Sequence, residues 1–110
     1  MTRAQLDIYS GKRSEKLYDN VLHSKRLELK RAAARLAQAE YQLEALVVRC
    51  DFLEARCQLG NASPTEQEEL DWTLEALPLS ASTLIELAIE FEHHKNEMEA
   101  LLLNRSEQSL

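Results

Sequence analysis

Residues 22–57 read LHSKRLELKRAAARLAQAEYQLEALVVRCDFLEARC, and the spacing within them decides the fold. Leu22, Leu29, Leu36, Leu43, Cys50 and Cys57 fall seven apart. Tyr18, Lys25, Ala32, Ala39, Leu46 and Leu53 interleave with them at three and four residues. A mostly apolar 3–4 alternation held for about five heptads is the a/d seam of a coiled coil. No Gly or Pro interrupts it, and its middle, Lys30-Arg31-Ala32-Ala33-Ala34-Arg35-Leu36-Ala37, is built of strong helix formers. The spacing predicts one helix over about 14–58, stopped at Gly60-Asn61, where a glycine can take the left-handed cap conformation.

Downstream, Ser63-Pro64-Thr65-Glu66 places Ser at the N-cap, Pro at the first helical position and Glu at the third. That is a capping box, and Glu66, Glu68 and Glu69 suit the positive helix start. A second helix is expected over about 64–77, ended by Pro78, with Ser80 or Ser82 capping a third over about 83–104. Leu70, Leu77, Leu84, Phe91 and Met98 nevertheless keep the seven-residue register across Pro78. Continuity of that kind suggests one kinked return arm.

At 1.5 Å per residue the first helix spans about 67 Å and the return arm about 61 Å. Such a helix needs a partner for its seam, and the return arm supplies one. The expected fold is therefore all-α: a long antiparallel coiled-coil hairpin with a kinked return arm, turning at residues 59–63. Dimerisation or a partner helix is expected to complete it to a bundle, because Ile85, Ala88 and Ile89 lie off the main seam, as do Val48, Phe52 and Leu59. Residues 1–13, which include Gly11, are expected to be mobile or to fold on contact, and residues 105–110 to form a disordered tail.

In such a hairpin, residues whose numbers sum to about 122 lie side by side. Lys25 and Arg26 should face Glu97 and Glu99, and Lys30 and Arg31 should face Glu90 and Glu92. The charge distribution agrees. Residues 1–57 carry 11 basic and 8 acidic side chains, whereas residues 58–110 carry 2 and 11. The net charge of −6 is thus the remainder of two oppositely charged arms.

Composition narrows the function. Ala, Leu, Glu, Lys and Arg make 61 of the 110 residues, and Gly and Pro together make 4. Sandwiches, barrels and phosphate-cradling loops need more turn residues than that. No apolar run approaches the roughly 20 residues that span a bilayer, and the first residues lack a secretory h-region. Two cysteines without such a signal fit a cytoplasmic chain. Cys50 and Cys57 sit two helical turns apart, about 10 Å, too far for a bond between them. They are read as packing residues, with a disulfide across a dimer as the alternative.

Glu90-Phe91-Glu92-His93 contains the Glu-x-x-His step of di-iron bundles, and Glu28 would lie opposite. The register turns His93 to solvent and His94 to the seam, so no metal or other cofactor is expected. His94 reads as a polar seam residue that specifies register. Basic residues inside the zipper, neutralised by the return arm, are unlike a zipper protein's DNA-binding region, so nucleic acid is not the expected partner. No nucleophile, base or deep pocket is signalled, and an enzyme is not expected.

The expected function is protein–protein interaction through coiled-coil or helix-in-groove contacts, as in a small chaperone, assembly adaptor or inhibitor. The alternatives are a self-contained structural homodimer and a helical-bundle nucleic-acid-binding regulator. Candidate contact residues are the off-seam apolar set Phe52, Trp72, Ile85, Ile89 and Leu102, with Trp72 the best anchor. Tyr9 and Tyr18 at the open end, with Leu17 of the overhang, are the other candidates.

Overall fold

The computed structural model describes the backbone of residues 3–108 and the side chains of residues 15–105. Two helices make up the fold: α1, Arg3–Gln58, and α2, Pro64–Gln108. They form the expected antiparallel hairpin, and no strand occurs among the described residues. The chain divides into two compact units. Residues 32–91 form the turn unit, and residues 1–31 with 92–110 form the terminal unit.

The buried positions of α1 are the seam read from the sequence. Leu22, Ala32, Ala39, Cys50 and Leu53 are its buried apolar side chains, with Leu53 0% exposed. On α2, Thr73 is buried, and its hydroxyl donates to the Glu69 carbonyl at 2.7 Å. That bond satisfies a polar atom at a seam position without help from α1.

The turn is held at both ends. Gly60 has φ 76°, and its amide donates to the Cys57 carbonyl at 3.1 Å, while Asn61 donates to Arg56 at 2.9 Å. These two bonds are a Schellman pair, which satisfies α1's last carbonyls. Across the turn, the Ser63 amide donates to Glu66 Oε1 at 3.3 Å and the Glu66 amide to Ser63 Oγ at 3.2 Å. The capping box therefore forms in both directions.

Three boundaries differ from expectation. First, α2 runs unbroken through Pro78, so the expected stop at Leu77 and restart near Thr83 do not occur. Thr83 instead donates to the Leu79 carbonyl at 3.1 Å, a bond within a continuing helix. The carbonyl that Pro78 cannot serve belongs to Leu74; both residues are exposed, so water can reach it. The seam, continuous on both sides, favours one helix over two. Second, α1 begins at Arg3 rather than near Ser14, since Gly11 costs a helix only about 1 kcal/mol. Third, α2 continues to Gln108, through most of the expected tail, and residues 109–110 lie outside the described residues.

Candidate functional site

Ion pairs between the helices follow the expected register. In the turn unit, Arg56 pairs with Glu66, Arg49 Nε reaches Glu69 Oε1 at 2.7 Å, and Arg35 reaches Glu90 at 2.8 Å. In the terminal unit, Lys25 pairs with Glu97, and Arg105 approaches Asp19 at 3.5 Å. Glu90 is met by Arg35, which occupies g, beside the seam.

Arg35, Arg49 and Arg56 all sit at g, so the turn unit carries its ion pairs on one flank. The opposite, e-position flank holds Ala33, Glu40, Val47 and Glu54 on α1, and Leu74, Ala81 and Ala88 on α2. Exposed pairs of this kind are screened by water and salt, so they select register more than they stabilise.

The pairs leave electrostatic signatures. Glu66 is held below the ordinary carboxylate value, first by its bond from Arg56 and then by the Ser63 amide. Arg49 lowers Glu69 and Lys25 lowers Glu97 in the same way. Lys25 is raised in turn, by Glu97 foremost and then Glu28. Burial pushes the Cys50 thiol up, and Glu54, whose Oε1 lies 3.7 Å from the sulfur, adds to the effect. Both cysteines are free thiols.

The expected contact residues fall in both units. Phe52, Trp72, Ile85 and Ile89 are all exposed in the turn unit. By register Phe52 and Trp72 take c positions beside the flank that carries the ion pairs, Ile85 takes b beside the other flank, and Ile89 takes the outermost f. Leu17 and Leu102 are exposed in the terminal unit. Tyr18 is half-buried: its hydroxyl donates to the Leu101 carbonyl at 2.8 Å, and the Arg105 guanidinium lies 5.1 Å above its ring. By register it is a seam residue. The side chain of Tyr9 lies outside the described residues.

A more continuous apolar surface runs along the outer side of α1. Tyr41, Ala45, Val48 and Phe52 recur at four, three and four residues, and with Glu44 and Arg49 they line an open depression of about 540 Å³. Two guanidiniums, Arg49 at 5.2 Å and Arg56 at 5.7 Å, lie against the Phe52 ring. Because both arginines are also tied to glutamates on α2, the ring is held in place at the outer surface. Tyr41 was not foreseen, although its spacing to Ala45 and Val48 was readable.

A second cluster lies around His94. Side-chain exposure is 68% for His93 and 18% for His94, as the register required. His94 Nδ1 lies 3.5 Å from Glu28 Oε2, and Glu97 stands with them. The Glu90-x-x-His93 step is thus not the one that gathers ligands. Among the described residues no helix is long and apolar enough to cross a membrane. Comparison with known protein families, with curated proteins and with solved structures finds no match.

Proposed function

We propose that the chain is a non-enzymatic protein–protein interaction module that takes a further helix onto the outer face of α1, with a second copy of itself as occupant. The observation that carries this is the outer stripe Tyr41, Ala45, Val48 and Phe52. Its 4–3–4 spacing matches the inner seam, so a second helix can pack there by the same knobs-into-holes geometry.

Exposure of the stripe points the same way, with Tyr41 73% and Val48 63% exposed. Among the described residues few side chains are fully buried, and a second copy adds apolar burial. Small chaperones, assembly adaptors and inhibitors of other proteins use helical faces in this manner.

Sedimentation equilibrium of the purified chain tests the proposal. The expected result is a dimer mass, with a melting temperature that rises with protein concentration. Val48→Glu, which sets a charge in the stripe away from the inner seam, should shift the population to monomer. A monomer across the micromolar range, with a melting point independent of concentration, would overturn self-association. A dimer indifferent to Val48→Glu would overturn the outer stripe as the interface.

A further inference from the structure

His94 and Glu97 stand three residues apart on α2, the spacing that places two side chains on one helix face. Glu28 meets them from α1. One ligand atom from each lies within 4.8 Å of the others, and all three residues are partly exposed, so water can complete a coordination shell.

The two carboxylates already converge on a cation. Lys25 Nζ lies 3.2 Å from Glu28 Oε2 and is ion-paired with Glu97. Glu97 turns its other oxygen to His93. Two carboxylates gathered around one ammonium create a negative potential that a divalent ion answers with twice the charge. The lysine stem is flexible and Lys25 is partly exposed, so its ammonium can swing to solvent when displaced.

The donor set selects the ion. Oxygen-only sites suit calcium and magnesium, whereas imidazole with carboxylates suits zinc and its borderline neighbours. Tetrahedral zinc holds its N and O ligands at about 2.0–2.2 Å, hence about 3.4 Å from one another. Contraction from 4.8 Å needs only rotation of partly exposed glutamate side chains.

We propose that Glu28, His94 and Glu97 form a site for Zn2+ or a similar divalent transition ion, with Lys25 as the displaceable cation that occupies the carboxylates in its absence. The ion would clip α1 to α2 in the terminal unit. Such a clip closes a long stretch of chain, the case in which a cross-link removes most unfolded-state entropy. The site is independent of the outer stripe on α1.

Calorimetric titration of the full chain with Zn2+, paired with thermal melts, tests the site. One ion per chain is expected, with a melting temperature raised by zinc. His94→Ala and Glu97→Gln should each weaken binding at least tenfold, whereas His93→Ala should leave it within about threefold. Lys25→Met should strengthen binding, because it removes the competing ammonium. That gain cannot come from a misfolded variant. Zinc binding that survives His94→Ala, or that Lys25→Met leaves unchanged or weakens, would overturn the proposal. Absence of binding at millimolar zinc would do the same. Co2+ supplies a spectroscopic control: a thiolate charge-transfer band would assign the ion to Cys50 or Cys57 and sink the site.

Discussion

Leu53 shows what a single seam position contributes. It is 0% exposed. Leu53→Ala should cost about 2–5 kcal/mol in urea unfolding, whereas the same change at exposed Leu79 should cost less than about 0.5 kcal/mol. The cysteines separate by the same logic. Cys50 is buried and its thiol is pushed up, so it resists the thiolate chemistry that alkylation requires. Iodoacetamide followed by mass spectrometry should label Cys57 first, with Cys50 reacting only at the rate of unfolding. Equal labelling would show that the seam opens there.

Each helix end is a separable unit of stability. Ser63→Ala removes one half of the capping box and should cost about 1 kcal/mol. Gly60→Ala has open space for its methyl group, since nothing lies within 4 Å, yet φ of 76° strains any L side chain. A cost of about 1–2 kcal/mol is expected from the backbone alone. Pro78→Ala should raise the melting temperature by restoring a helical bond to Leu74. These elements also mark how far the sequence could be read. The seam, the α1 stop and the capping box were legible because each depends on contacts within a few residues. Pro78 was misread because the local cost of a proline, about 3 kcal/mol, lost to a seam continuous on either side. The Glu28–His94–Glu97 cluster was half legible. Register placed His94 inward and Glu28 opposite, but which carboxylate on α2 joins them depends on rotamers. No periodicity encodes those.

On the scale of the whole molecule, the segregation of basic and acidic residues sets the response to pH. Glu66, Glu69 and Glu97 have folded values below the ordinary 4.5. Their contribution is therefore complete above about pH 4.5 and is lost as pH falls through the lowered folded values. Lys25 works in the opposite direction, because its folded value is raised. Its share is lost only as pH rises through a value above 10.5. Melts followed by circular dichroism should show a plateau through neutrality and a decline below about pH 4.5. High salt should shrink that acid decline, since the groups are exposed and screened.

The pairings span very different lengths of chain. Arg56 and Glu66 are 10 residues apart, Arg49 and Glu69 20, Arg35 and Glu90 55, and Tyr18 and Leu101 83. Closing each successive loop is inexpensive once the one inside it has formed. The hairpin therefore has a natural direction of assembly, zipping outward from Gly60. Changes at Ser63 or Arg56 should slow refolding, whereas changes at Tyr18 should leave that rate alone and hasten unfolding. A stopped-flow chevron on Ser63→Ala and Tyr18→Phe would measure the two arms. Equal effects on both would mean that the seam nucleates elsewhere.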